Sequence, residues 1–149
     1  ISRMEITIRT LPELEAEATR FAASLAPREE GATLVTLSGE LGAGKTAFTK
    51  ALALALGVEE TVTSPTFVLE KIYKLGHPMS KFKHLVHIDA YRLESGAELA
   101  ALGFDEILLG AGNLVVFEWP ERAGDVLLAP AVRVSLVVNE DGSRTISYG

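Results

Sequence analysis

The residues Gly39-Glu40-Leu41-Gly42-Ala43-Gly44-Lys45-Thr46 fit the nucleotide-phosphate loop pattern G-x-x-x-x-G-K-[ST] at every fixed position. The chemistry follows from the residue types. Glycines let the backbone curl so that successive N–H groups point inward at phosphate oxygens, and a helix starting at the loop's end aims its positive pole at the same charge. Lys45 would then reach the β- and γ-phosphates, and Thr46 would hold Mg²⁺. Two carboxylates elsewhere suit the same task. Asp89, in His87-Ile88-Asp89-Ala90-Tyr91-Arg92, and Glu118, in Glu118-Trp119-Pro120, each stand at the end of a short apolar run that reads as a strand. A buried strand that ends in a carboxylate needs a cationic receiver. Beside a nucleotide, that receiver is Mg²⁺ or a water it polarises, although an aspartate after a strand also serves as a plain turn or helix cap. Ser64-Pro65-Thr66 adds two hydroxyls at the mouth of another β-rich run, since Pro65 pushes Ser64 toward extended geometry. A threonine there can sense a γ-phosphate; a simple turn is the alternative. Trp119 either covers the core or shapes the mouth of the site, and its type and position do not decide between them.

These groups need elements to hold them. Thr33 to Ser38 is β-prone and suits a buried strand entering the loop, while Thr46 to Leu56 places Phe48, Leu52, Ala55 and Leu56 on a helical stripe that stops at Gly57. Ahead of these, Met4 to Arg9 alternates as a half-buried strand, with Ile6 and Ile8 inward. Thr10 and Glu13 have capping-box spacing, and Leu14, Ala18, Phe21, Ala22 and Leu25 form the apolar face of the helix that follows. After the loop helix, Phe67 to Leu75 is β-rich, Gly76 to Lys81 is turn-like, and His84 to Ile88 is a strand ending at Asp89. On that strand His87 and Asp89 share a face. Ser95 to Leu109 predicts a helix, a break at Gly103 and a short second helix. Asn113 to Phe117 is the strand that ends at Glu118, and Pro120 to Leu128 reads as a short helix with loops. Val132 to Val138 and Arg144 to Tyr148 form a hairpin around Asp141-Gly142.

The chain has 149 residues, 48% hydrophobic and 23% charged, which is ordinary globular usage and enough for one compact domain. No apolar run is long enough to span a membrane, and the absence of cysteine removes disulfides and thiolate metal sites. A soluble, cytoplasmic protein is expected. Residues 1–3, ahead of Met4, read as an expression remnant. A formal net charge of −6 opposes unaided binding to a polyanion. Any RNA contact would have to be local, and the one candidate is the cationic stretch of Lys71, Lys74, His77, Lys81, Lys83 and His84, which a solvated hairpin tip explains equally well.

Taken together and in order, GELGAGKT, SPTF, HIDAYRL and FEWPER resemble the bacterial TsaE family, the small ATPase of tRNA threonylcarbamoyladenosine synthesis. The resemblance runs from the strand at Met4 to the closing hairpin. It implies an α/β fold of the P-loop NTPase kind, with three layers, a central mixed sheet, helices on both faces and a C-terminal antiparallel hairpin. It also implies a Mg²⁺-dependent ATPase that assists the modification without being the transferase, and that joins the transferase subunit and its paralogous companion (TsaD and TsaB type). Carried over by motif, Gly39, Glu40, Leu41, Gly42, Ala43, Gly44, Lys45, Thr46 and Ala47 would wrap ATP's phosphates. Thr46, Glu118 and Asp89 would approach the metal or its waters, with Lys45, Asp89 and Glu118 as the catalytic set. Ser64 and Thr66 would form the γ-phosphate switch, and Trp119 would lie near the nucleotide. Ala47 stands where the family often has a second hydroxyl, which removes an extra contact to the α-phosphate, and Val68 replaces a frequent threonine; neither is needed for Mg²⁺ or the β- and γ-phosphates. The competing readings are a small-molecule or nucleotide kinase, a GTPase, against which the absence of an Asn-Lys-x-Asp motif speaks, and a nucleotide-gated adaptor with incidental hydrolysis.

Overall fold

A computed structural model describes residues 3–58, 62, 70–75, 80–127 and 130–149, the side chain of Asp125 excepted. The strands are β1 (Met4–Ile8), β2 (Thr33–Ser38), β3 (Glu70–Lys74), β4 (His84–Asp89), β5 (Asn113–Glu118), β6 (Val132–Val138) and β7 (Arg144–Tyr148). Among the described residues they form one seven-stranded sheet in the order β1-β7-β6-β2-β5-β4-β3. The centre is parallel: β2 pairs with both β5 and β6, and β4 pairs with β5. The two margins are antiparallel, through β3 on β4 and through the β6–β7 hairpin that carries β1. The expected mixed sheet with a closing hairpin is therefore observed.

The sequence explains why the centre is parallel and the margins are not. β2, β4 and β5 are buried on both faces, as strands covered on both sides must be, whereas β6 alternates between more and less buried positions and β1 is buried only at Ile8. Side chains alternate across the sheet, and two cores result. Val35, Leu37, Leu85, Leu114 and Val116 pack under α1 (Leu11–Ser24) and α2 (Lys45–Ala55). Leu34, Val86, Ile88, Val115 and Phe117 pack on the other face against Leu99, Phe104 and Ala123. That second layer is a 3₁₀ helix over Gly96–Leu102, α3 (Phe104–Leu109) and another 3₁₀ helix over Pro120–Val126. The break expected at Gly103 is present, with the glycine in the left-handed region, but the segment before it winds as 3₁₀ and not as a regular α-helix.

Local signals hold in detail at α1. Thr10 caps the helix through its hydroxyl, which accepts from the Glu13 N–H, while the Glu13 carboxylate accepts from the Arg9 N–H and the Thr10 hydroxyl. The expected apolar face is buried from Leu14 to Leu25. Glu17 is buried on the same helix, and its carboxylate receives Arg20 on one oxygen and the Tyr148 hydroxyl at 2.6 Å on the other. This ties α1 to the last strand. On α2 one expectation fails. Ala55 faces solvent, because the buried face of α2 runs through Phe48, Thr49, Leu52 and Ala53; beyond the helix Val58 folds back, its N–H donating to the Ala53 carbonyl and its side chain buried. Of the cationic stretch, Lys81 is spent structurally, donating to the Ala23 and Leu25 carbonyls at the end of α1. His77 lies outside the described residues.

Candidate functional site

The loop expected to cradle phosphate runs from the end of β2 into α2. Its shape depends on glycine at two positions in particular. A β-carbon on Gly39 would sit 2.7 Å from the Leu136 carbonyl oxygen, and Gly44 has a φ of +102°, a backbone conformation costly to any side-chain-bearing residue. The Ala43 N–H closes a turn on the Glu40 carbonyl at 3.1 Å, and the Phe48 N–H donates to the Gly44 carbonyl at 2.9 Å to start the helix. The first backbone N–H groups of α2 thus face the loop's concave side without intrahelical partners.

The carboxylates arrive from the other side by strand register. Asp89 and Glu118 are direct partners across the β4–β5 pair, at the carboxyl ends of both strands. Their positions put them on the same face as Leu85, Leu114 and Val116, which is the face that α2 covers. They therefore face Lys45 and not the 3₁₀ layer. Both are nearly inaccessible, Asp89 at 6% and Glu118 at 2% exposure, so they form a concentrated negative wall in poor contact with water. An Asp89 oxygen accepts the Tyr91 N–H at 3.0 Å, the turn-capping contact that the sequence offered as an alternative to function. The geometry brings both together, since the same carboxylate also lines the cleft. His87, one pleat before Asp89, is completely buried and joins its Nε2 to Glu118.

Lys45 lies between the loop and this wall. Its ammonium donates to the Gly39 carbonyl and, at 3.3 Å, to the Glu40 carbonyl, and it stands 3.9 Å from the centre of the Trp119 ring. Burial lowers its pKa from the ordinary lysine value, and the negative charges of Glu118, Asp89 and Glu121 act in the opposite direction. An ammonium has three N–H donors; two are spent on the loop's own carbonyls. Trp119 is delivered to this position by its backbone. With a φ of 59° and ψ of 54°, it is the one non-glycine residue with positive φ among the described residues. Such a conformation costs a bulky residue roughly 1–2 kcal/mol. It is held by the Trp119 N–H donating to the Leu37 carbonyl at 3.3 Å and by Pro120 opening the following 3₁₀ helix. The reversal at the end of β5 turns the indole back over the cleft and against Tyr91, 5.1 Å away between ring centres. Trp119 therefore does both jobs left open by the sequence: it packs against the second core and lines the cleft.

The cleft so formed has a volume of about 310 Å³ and is lined by Leu41, Gly42, Gly44, Lys45, Thr46, Ala47, Asp89, Tyr91, Glu118 and Trp119. A larger hollow of about 680 Å³, against Thr36, Ser38, Arg133 and Ser135, contains none of Lys45, Asp89 or Glu118. The smaller space carries the chemistry. Ser64 and Thr66 lie outside the described residues. Arg122 is exposed and sits over Tyr91 with its guanidinium carbon 5.8 Å from the ring centre, and Arg92 is also exposed; neither lines the cleft. The sequence did not single out Tyr91 as a cleft residue, and it put His87 on the right face without identifying its partner. Only the Tyr91-after-Asp89 spacing, which allows the turn, hinted at the former.

The oxygen donors at this site, the Thr46 hydroxyl and the Glu118 and Asp89 carboxylates, suit a hard cation. No cluster of three or more His, Cys, Asp or Glu side chains that could cage a metal exists among the described residues.

With this geometry in view, comparison with known proteins gives a consistent answer. The family model for "Threonylcarbamoyl adenosine biosynthesis protein TsaE" matches residues 12–146. The "tRNA threonylcarbamoyladenosine biosynthesis protein TsaE" of Treponema pallidum (strain Nichols) is 44% identical over 119 residues, covering 80% of this chain and 82% of its own. The protein of the same description from Rickettsia prowazekii (strain Madrid E) is 37% identical over 142 residues, covering 95% and 91%. Among solved structures, "Crystal structure of Bacillus subtilus YdiB" superposes with a TM-score of 0.72 at 27% identity, covering 99% of this chain and 84% of that one.

Proposed function

Because the chain belongs to the TsaE family, we propose that it is the ATP-binding and ATP-hydrolysing component of the tRNA threonylcarbamoyladenosine machinery, acting through protein partners and not as the transferase. The observation that carries this is the meeting, in one cleft, of Leu41, Gly42, Gly44, Thr46 and Ala47 from the loop with two strand-end carboxylates and Lys45 between them. Phosphoryl transfer to water needs little covalent help from a protein; it needs the phosphates fixed, their charge matched and the water aligned. Each need has a residue. The loop amides and the N-terminus of α2 bind the phosphate oxygens, and Lys45 turns its remaining N–H toward the β- and γ-phosphates. Thr46 and Glu118 are the ligands for Mg²⁺, which supplies charge neutralisation on the phosphate oxygens when bound with the nucleotide. Asp89, placed beside Glu118 by register, orients the attacking water by accepting one of its hydrogens. Trp119 and Tyr91 close the aromatic side of the cleft and limit solvent access. Ser64 and Thr66 are assigned the γ-phosphate switch on their motif alone.

No arginine lines the cleft among the described residues, so charge there is met by Lys45 and the loop amides, with Arg122 outside it over Tyr91. The site is thus suited to slow hydrolysis that speeds up when another protein completes it. The partners of this reading are the threonylcarbamoyl transferase subunit and its paralogous companion. tRNA is reached through them in the cytoplasm, in keeping with a net charge of −6. The test is co-purification of the full chain with that pair. Complex formation should require ATP and disappear with Thr46→Ala, and ATP turnover by the chain alone should be far below the roughly 1–100 s⁻¹ of kinases. Assembly indifferent to nucleotide, or kinase-like turnover by the isolated chain, would overturn the proposal.

A further inference from the structure

One arginine remote in sequence reaches the back of the phosphate loop. Arg144 opens β7, and its guanidinium lies across the outer surface of the loop. Its Nε donates to the Ala43 carbonyl at 3.3 Å and its Nη2 to the Gly42 carbonyl at 3.2 Å, while Nη1 returns to the Gly142 carbonyl of its own hairpin at 3.3 Å. The Gly44 backbone passes so close that a β-carbon there would meet Arg144 Nε at 3.6 Å. The contact spans about a hundred residues of chain and joins the closing hairpin to the loop.

The consequence follows from peptide geometry. In a trans peptide the carbonyl of one residue and the N–H of the next point to opposite sides. When Arg144 takes the Ala43 carbonyl outward, the Gly44 N–H must point inward, to the concave side lined by Gly42, Gly44, Lys45 and Thr46. When it takes the Gly42 carbonyl outward, the Ala43 N–H turns away from it and closes on the Glu40 carbonyl, which sets the curvature of the loop. The geometry points to Arg144 as a positioning residue for phosphate binding: it fixes two consecutive peptide planes in the orientation that presents the Gly44 amide to the nucleotide. A planar fork holds its N–H vectors at a fixed angle and so fixes both peptide planes, whereas an ammonium, although it can reach two adjacent carbonyls as Lys45 does at Gly39 and Glu40, is a single point with rotating donors. The role requires the loop to bind phosphate and so rests on the function proposed above.

The experiment is calorimetric titration of the full chain and its Arg144→Ala and Arg144→Lys variants with ADP, together with the amide resonance of Gly44 in nucleotide-free protein. Arg144→Ala should lose about tenfold in ADP affinity, about the worth of one hydrogen bond to a charged group. Arg144→Lys should recover little of it, and the Gly44 amide should shift in both variants before any nucleotide is added. ADP affinity equal to wild type in Arg144→Ala overturns the clamp. So does full recovery by Arg144→Lys, which would make the contribution one of positive charge alone. Failure of the wild-type chain to bind ADP would instead overturn the nucleotide-binding proposal, and the clamp with it; the wild-type titration tells the two failures apart.

Discussion

The two walls of the cleft are built on different principles. The phosphate wall is backbone: consecutive residues from Gly39 to Thr46, shaped by glycines and continued by α2, with one long side chain, Lys45, lying along it. The opposite wall is side chain: Asp89 and Glu118 from two strands, with Tyr91 and Trp119 from the turns that follow. The first can be built from a short stretch of sequence, because an amide is available at every residue and only its direction must be set. The second exists only if β4 and β5 pair in the register that puts Asp89 opposite Glu118. Slipping that pairing by one residue would send one of the two carboxylates' strands to the opposite face and into an apolar core. Under the proposed function the work is shared accordingly: the backbone wall would bind what every nucleotide has, and the side-chain wall would orient water or metal.

The largest test of this division is Lys45→Ala. Lys45 is the sole side-chain cation lining the cleft among the described residues, and its removal exposes the loop to Asp89 and Glu118 without a counter-charge. ATP affinity should fall by about 100-fold or more, the loss of a charged hydrogen bond compounded by repulsion from the facing acids. Calorimetry would measure it, and a drop of only a few-fold would mean that the backbone wall binds phosphate almost unaided.

A smaller effect is expected on the other wall from His87→Ala. The imidazole is completely buried against Glu118, so its loss leaves a carboxylate with little exposure short of one partner, at a cost of about 1–3 kcal/mol in stability by urea unfolding. An unchanged unfolding midpoint would show that this wall, like the other, is held by its backbone alone.

The smallest effect concerns the hairpin behind the loop. Asp141 is exposed, and hydrogen bonds from the Ser143 hydroxyl and N–H, with Arg9 beside it, pull its pKa from the ordinary carboxylate value to about 2. A folded-state pKa below the unfolded one means that the stabilisation is present at neutral pH and is lost as the pH falls through about 2. Asp141→Asn should therefore lower the melting temperature slightly at pH 7, with the gap to wild type closing as the pH nears the pKa of about 2. A gap that persists there would assign the effect to the turn's shape and not to its charge.

What could be read from the sequence divides along the same line. Strand, loop and helix around Gly39–Thr46, the cap at Thr10, the break at Gly103 and the closing hairpin are all local: glycine placement, capping chemistry and hydrophobic period act within a few residues, and the structure repeats them. Asp89 and Glu118 were also legible as strand ends, because each follows an apolar run. Their direct pairing was not legible. Neither was the use of His87 on Glu118, since parity puts a histidine on a face but does not say which side chain it meets there. Ala55 went wrong for a related reason. The helical period assigned it to the buried stripe, but packing turns the helix so that Thr49 and Ala53 are buried and Ala55 is left at the margin.

The sequence by itself, then, determined the parts of this protein that consist of consecutive backbone: a phosphate loop, the strand and helix around it, and the acids that end two further strands. Tertiary structure alone decided three things. It set Asp89 beside Glu118 through strand register, turned Trp119 back over Lys45 through a left-handed backbone that no propensity scale would assign to tryptophan, and laid Arg144 across the loop from a hairpin far along the chain. The physical reason is range. Peptide geometry and capping act over a few residues, whereas register, chain reversal and guanidinium reach depend on which strands the two cores bring together.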